Sequence, residues 1–336
     1  VTKQFFLKVL IVYDIDHSWD AVEISETRRS NRILSDALRK EGFDTCIEEL
    51  RDPHLDRILE KHDPRHTIVF NLCEGLPGTS HPERRVTEIF EHWGFTYTGN
   101  TPEVIDLSYD KQKTKELLMT LGIRVPDGSV LDAEEAENWS LFPAIVKPSR
   151  EHCSLTISEK SVVFDTASLK EQILFVNSEL NQPALVEDFI DGREFHVSVW
   201  NNGPPEILPV AEMDFSAFAE ARDRLCTYDS KFIPGSGHYE KIETVIPASL
   251  DDWLYRKLEK KAIDTWKGFG CKDYARFDFR LRDDKFYLLD INPNNDISFD
   301  TSFAMAAEMM NYSYGQMVKR IVMMAAGRHP VFGERN

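Results

Sequence analysis

Two segments late in the sequence constrain the fold more than any others: Ala275-Arg276-Phe277-Asp278-Phe279-Arg280-Leu281 and Tyr287-Leu288-Leu289-Asp290-Ile291-Asn292-Pro293-Asn294. Both read as strands, and side chains two positions apart on a strand share a face. Adjacent strands in the register these spacings suggest bring Asp278, Asp290 and Asn292 together on one face. Three hard oxygen donors suit magnesium, which takes one or two carboxylates and completes its octahedron with waters and nucleotide phosphates. The pattern alone leaves a solvated strand face as the other reading; the Asn-Pro-Asn turn weighs toward the metal.

The rest of the chain must supply a setting for such a site. At 336 residues it is long enough for two or three domains, each with its own core. Hydrophobic residues at 42% and charged residues at 29% are ordinary globular usage. A formal net charge of -17 argues against nucleic acid or an anionic membrane as partner, since both need a basic face. It also means that a polyanion such as ATP can be held only by individually placed lysines and arginines. The early apolar run Phe5 to Tyr13 is interrupted by Lys8, too short to span a bilayer and a poor signal peptide, so a cytoplasmic protein is expected. Cys46, Cys73, Cys153, Cys226 and Cys271 are odd in number and widely spaced, which fits reduced thiols, with Cys73 and Cys271 as small core residues.

The order of elements predicts a mixed α/β and α+β protein. Lys8 to Tyr13, Arg28 to Lys40 and His66 to Leu72 read β-α-β and call for a parallel sheet. A helix over Thr87 to Trp93 and a short strand at Phe95 to Thr98 close a first domain, 1–100. A lysine-rich helix from Asp110 to Leu121 leads into a central domain, 101–190. Its strands are expected at Ala144 to Lys147, Leu155 to Ser158 and Ala184 to Glu187, with a helix over Leu169 to Asn177. In a last domain, 191–336, strands at His196 to Trp200 and Pro205 to Glu212 join the metal strands, with helices over Leu250 to Gly268 and Met305 to Ala326. The polar stretch 214–246, with Pro234, Gly235 and Gly237, reads as a lid loop.

A second chemical signal is Phe142-Pro143-Ala144-Ile145-Val146-Lys147-Pro148-Ser149-Arg150, which sets a lysine at the mouth of an apolar strand, a plausible phosphate ligand. Lys111, Lys113 and Lys115 admit the same reading or that of a solvated helix face.

With these motifs in order, the chain resembles D-alanine:D-alanine ligase and its ATP-grasp relatives from about Val9 to about Ile321. The resemblance is carried by Phe70-Asn71-Leu72-Cys73-Glu74-Gly75, Tyr97-Thr98-Gly99, Asp110-Lys111 with Thr114-Lys115, Lys147 to Glu151, Val186 to Glu194, Tyr228-Asp229-Ser230-Lys231 and the metal-strand pair. It implies an ATP-grasp fold preceded by a parallel-sheet domain, and an ADP-forming ligase using ATP and two magnesium ions, with manganese as a substitute. By the same resemblance Lys111 and Lys147 hold phosphates beneath a loop carrying Ser154, and Lys231 reaches them from the lid. Glu187, Phe189 and Ile190 meet adenine and Glu194 the ribose. Asp278, Asp290 and Asn292 ligate the metals, Arg276 stabilises the acyl phosphate and tetrahedral intermediate, and Glu23 holds the first substrate's ammonium. Thr301 and Ser302 occupy the carboxylate-binding positions, and a homodimer is implied.

The sequence departs from the wall-building ligases where substrates bind. Tyr13-Asp14-Ile15-Asp16 replaces a Gly-Gly turn, and Glu74-Gly75 stands where they have His-Gly, exchanging a cation for an anion that favours an ammonium group. Arg150 to Thr156 replaces Gly-Ser-Ser-Val-Gly, Phe232 stands for a lid tyrosine, and Asp296 would repel a nearby carboxylate. The expected function is ATP-dependent amide or peptide bond formation between small amino acids, first on D-alanine and next on another amino acid in a specialised pathway. The reading from another class is a non-catalytic ATP-binding regulatory protein, which the intact lysines and metal ligands oppose.

Overall fold

Three sheets organise the chain in the computed structural model, which describes residues 7–79, 83–150, 157–201, 203–227, 230 and 235–333. The first is wholly parallel, with β1 (Lys8–Asp14), β2 (Asp44–Leu50), β3 (Thr67–Asn71) and β4 (Thr96–Tyr97) in the order β2-β1-β3-β4. Val9 to Val12 of β1 are buried on both faces, which is why the segment reads as an uninterrupted apolar run. The chain leaves β1 to one side for β2 and returns to the other for β3. The carboxyl ends of β1 and β3 therefore flank a topological switch point, the usual crevice for a ligand in such sheets.

The helix that follows β1 runs from Ala21 to Lys40, starting seven residues before the expected Arg28. Its start is a capping box: the Asp20 side chain accepts from the Val22 and Glu23 amides, and the Glu23 carboxylate accepts from the Asp20 amide at 2.7 Å.

The second sheet is antiparallel, with β5 (Gly128–Leu131), β6 (Ala144–Pro148), β7 (Val162–Val163) and β8 (Ala184–Asp188) in the order β5-β8-β6-β7. Leu169, Ile173 and Val176 of the helix Thr166–Glu179 pack on it. The strand expected at Leu155 to Ser158 differs: Ile157 and Ser158 are not in a strand, because Ser158 caps a short 3-10 turn, and the strand lies at β7. Leu155 and Thr156 lie outside the described residues.

The third sheet runs β12-β11-β9-β13-β14, with β10 paired to β9, all antiparallel. Its strands are β9 (Arg193–Asn201), β10 (Pro205–Ile207), β11 (Ala211–Asp214), β12 (Glu243–Val245), β13 (Tyr274–Arg282) and β14 (Lys285–Asn292). The single strand expected over Pro205 to Glu212 is two, because Pro209 has no amide hydrogen to continue the ladder. The helix expected over Met305 to Ala326 is likewise two, Ser302–Met309 and Tyr314–Ala326, broken where Asn311 adopts a left-handed backbone and Ser313 caps the second helix. The 214–246 stretch is not structureless: β12 pairs with β11, and Phe218 stacks on His238.

The sheets are joined through named contacts. Met317, Val318, Ile321 and Val322 of the last helix share a core with Val9, Ile11 and Phe70. The fully buried Asn100 donates to the Tyr274 and Pro293 carbonyls and accepts from the Lys272 amide, tying the first sheet to β13 and the turn after β14. Beside it Gly99 has a φ of +96°, and a β-carbon there would lie 2.3 Å from Asn294 Oδ1, so only glycine fits.

Candidate functional site

A cleft enclosing about 880 Å³, part of it open to solvent, lies between the second and third sheets and is of the size that holds a nucleotide. Lys111, Lys147, Glu187, Phe189, Ile190 and Glu194 line it, and Asp278 and Asp290 stand on its wall. These residues come from a helix start, five strands and the loop between β8 and β9, so the cleft unites positions scattered over almost two hundred residues of sequence.

On the second sheet, Glu187 is buried and holds two buried lysines, with Lys147 Nζ 2.6 Å from Oε2 and Lys115 Nζ 2.5 Å from Oε1. Burial raises the Glu187 pKa, but the two ammonium groups outweigh it and hold the carboxyl below its ordinary range. One carboxylate against two cations leaves a positive balance at the wall, which suits an anionic ligand. Lys115 also donates to the Pro126 carbonyl at 2.7 Å.

On the third sheet, β13 and β14 pair Asp278 with Asp290 and Arg276 with Asn292, so all four side chains share one face. Phe277 and Phe279 point the other way into the core. Arg276 grips Asp278 through two bonds of 2.7 and 2.9 Å, and Asn292 Nδ2 donates to Asp278 Oδ2 at 3.0 Å. Burial opposes the Arg276 charge, and Asp278 with Asp290 outweighs it and keeps the guanidinium protonated. Two carboxylates and a carboxamide on one strand pair form a hard donor set that fits magnesium, and any ion there shares Asp278 with Arg276.

Arg280, two residues beyond Asp278 on the same face, had no role in the sequence reading. It is almost fully buried, donates to Glu194 Oε2 at 2.8 Å and to the Ile190 carbonyl at 2.9 Å, and lies against the Phe189 and Phe215 rings. Burial raises the Glu194 pKa, but Arg280 and then His196 outweigh it and bring the carboxyl down to about 2. The period-two run Arg276, Asp278, Arg280 was the available signal.

At the switch point of the first sheet, Asp14 Oδ1 accepts from the Glu74 amide at 2.9 Å. Glu83 accepts from Asn294 Nδ2 at 2.8 Å. Burial first, and then the neighbouring carboxylates, raises these groups: Asp14 to about 6, Glu74 to about 7 and Glu83 to about 8. Glu74 is desolvated on its inner side by the surrounding protein while its outer side meets solvent, and Asp296 also faces this acidic corner.

Among the described residues, the remaining expected site residues Glu23, Thr301 and Ser302 lie apart from the cleft lining. Glu23 uses its carboxylate in the capping box. Thr301 caps the helix Ser302–Met309 and donates to the Ser298 carbonyl at 2.8 Å, and Ser302 is that helix's first residue. Ser154 and Lys231 lie outside the described residues. Among the described residues no helix is long and apolar enough to cross a membrane.

Residues 126–323 match the family model described as D-ala D-ala ligase C-terminus. An uncharacterized protein of Sinorhizobium fredii, y4sG, is 30% identical over 304 residues, covering 87% of this chain and 86% of its own length. D-alanine:D-alanine ligase of Carboxydothermus hydrogenoformans is 26% identical over 308 residues, covering 88% of this chain and 92% of its own. Among solved structures, the Bacillus anthracis D-alanine:D-alanine ligase complexed with ATP superposes with a TM-score of 0.73 at 18% identity, over 96% of this chain and 98% of that one. The VanG D-Ala:D-Ser ligase of Enterococcus faecalis gives 0.73 at 17% identity, over 95% and 99%.

Proposed function

Since this chain belongs to the D-alanine:D-alanine ligase family and is an ATP-dependent, ADP-forming ligase of the ATP-grasp class, we propose that it activates the carboxylate of one small amino acid as an acyl phosphate and joins it to the amine of a second. The observation that carries this reading is the convergence of Lys111, Lys147, Glu187, Glu194, Asp278 and Asp290 on one cleft.

In this reading Lys111 and Lys147 hold the phosphates, with Ser154 and Lys231 completing the grip. Glu187, Phe189 and Ile190 face adenine, and Glu194 faces the ribose. Asp278, Asp290 and Asn292 would hold two magnesium ions, or manganese in their place, which would supply positive charge to offset that of the transferred phosphoryl group. Arg276, kept protonated by its acidic neighbours, stabilises the oxyanion as the amine attacks. Glu23, through the carboxylate oxygen that its capping box does not use, and Glu74 hold the first substrate's ammonium, and Thr301 and Ser302 the second substrate's carboxylate. ATP cleavage supplies the driving force: the carboxylate oxygen attacks the γ-phosphorus, ADP leaves, the amine displaces phosphate, and the amine's proton is released.

The acidic corner of Asp14, Glu74, Glu83 and Asp296 favours a second reading, the same chemistry on an amino acid other than D-alanine. Its raised carboxyls are relieved by a positive charge with no carboxylate beside it, which a basic side chain supplies and alanine, whose one ammonium adjoins its carboxylate, does not. ADP release with ATP and magnesium, measured across single D- and L-amino acids and their pairs with mass spectrometry of products, separates the two. Turnover with D-alanine alone gives the first, and turnover only with another amino acid gives the second. No turnover with any pair refutes ligation of small amino acids.

A further inference from the structure

We propose that Glu194, His196 and Cys226 form a binding site for a borderline divalent cation of the zinc class, built into the wall of the nucleotide cleft. One ligand atom from each of the three side chains lies within 4.8 Å of the others. Glu194 and His196 alternate on β9 and so share a face, with Glu194 Oε1 3.5 Å from His196 Nε2. Arg280 occupies the other Glu194 oxygen, Oε2, at 2.8 Å. Register places Asp278 opposite His196, with Oδ1 3.9 Å from Nε2, a fourth donor within reach of a small movement.

Cys226 is brought to this face by fixed neighbours. Leu225 is buried against Val162 and Phe189, and the Arg224 carbonyl accepts from the Arg280 guanidinium. The Arg224 side chain is paired with Asp191 at 3.0 Å. Glu194 and His196 are 5% and 6% exposed, so the ligands are already largely dehydrated and held by packing.

The donor set decides the ion. Magnesium takes oxygen donors, and neither imidazole nor thiolate offers it anything; zinc and cobalt(II) favour exactly this mixture of nitrogen, sulfur and carboxylate, with an open position for water. Glu194 and Asp278 balance Arg280 and Arg276, and loss of the thiol proton on binding adds the negative charge a dication requires. A second group of Cys46, Glu48 and His62 lies on the first sheet, but Lys8 Nζ stands 3.5 Å from His62 Nδ1 and opposes a cation there.

The test is titration of the full chain with cobalt(II) chloride in the absence of nucleotide, followed by absorption spectroscopy. The proposal expects one thiolate-bound equivalent, read as a thiolate-to-cobalt charge-transfer band that saturates at one cobalt per chain and that zinc chloride abolishes by displacement. Cys226→Ser removes the band, His196→Gln weakens binding by more than about tenfold, and Cys46→Ser leaves both unchanged. Absence of the band in the parent protein, its survival in Cys226→Ser, or its loss in Cys46→Ser overturns the assignment.

Discussion

Lys147 Nζ lies 2.6 Å from Glu187 Oε2, and the opposite oxygen of that carboxylate holds Lys115 at 2.5 Å, all three side chains being buried. The arrangement is stable because each ammonium has the same anion as partner. Removing that anion strands two buried charges. Glu187→Ala should therefore destabilise the protein by about 3–5 kcal/mol, measured by urea denaturation. Lys147→Met keeps the Lys115 pair, so it should unfold nearly as the parent does while nucleotide affinity falls. Equal loss of stability in both variants would contradict the shared-anion account.

Asp290 faces Asp278 across the β13–β14 pair without lying in the core. Asp290→Asn keeps the shape and removes one negative charge from the proposed magnesium set. ADP release should fall by about 10²-fold or more, with circular dichroism and Tm little changed. A variant that folds and turns over at the parent rate would remove Asp290 from the metal site.

The half-buried Glu83 gives a pH signature with a definite sign. Burial raises its carboxyl from an ordinary 4.5 to about 8, and Glu74 and Asp14 add to the shift against the Asn294 hydrogen bond. Between those two values the folded chain keeps a proton that the unfolded chain has lost. Its contribution to stability is full below about 4.5 and is lost as pH rises to about 8. Glu83→Gln retains an acceptor for Asn294 and cannot ionise. The Tm of the variant minus that of the parent should rise by about 2–4 °C between pH 5 and pH 9, by calorimetry; a pH-independent difference would show that Glu83 does not titrate in this window.

The zinc-class site on the cleft wall predicts inhibition. Zinc chloride should slow ADP release at fixed magnesium and ATP, a chelator should restore the rate, and Cys226→Ser should need about tenfold more zinc for the same effect. Identical zinc sensitivity in the variant would place the inhibition elsewhere.

Much of this site was legible because strand geometry is local. Period-two spacing put Asp278, Asp290 and Asn292 on one face, and the resemblance singled out Lys147 and Glu194, which line one cleft. The same alternation carried Arg280, yet nothing in the spacing said that its partner would be Glu194, 86 positions earlier. Such pairings depend on the order of strands in a sheet, which the local pattern does not encode. His196 and Cys226 escaped for the same reason, as did Glu83 and its meeting with Asp14, Glu74 and Asp296, since these carboxylates come from the ends of β1 and β3, a helix start and the turn after β14. The divided strand at Pro209 and divided helix at Asn311 were marked by residues that break a ladder or take a left-handed turn, signals outweighed in the reading by continuous apolar patterning. The capping box Asp20-x-x-Glu23 was visible too, and it shows that a carboxylate at a family position can be occupied by its own backbone.

The central claim is that this cleft transfers the γ-phosphoryl group of ATP to a carboxylate before the amide forms. The most direct measurement labels the carboxylate of the accepted amino acid with oxygen-18 and follows the label during turnover with ATP and magnesium. The account predicts ADP as the nucleotide product and one labelled oxygen in each inorganic phosphate released. Unlabelled phosphate, or AMP and pyrophosphate in place of ADP and phosphate, would contradict it.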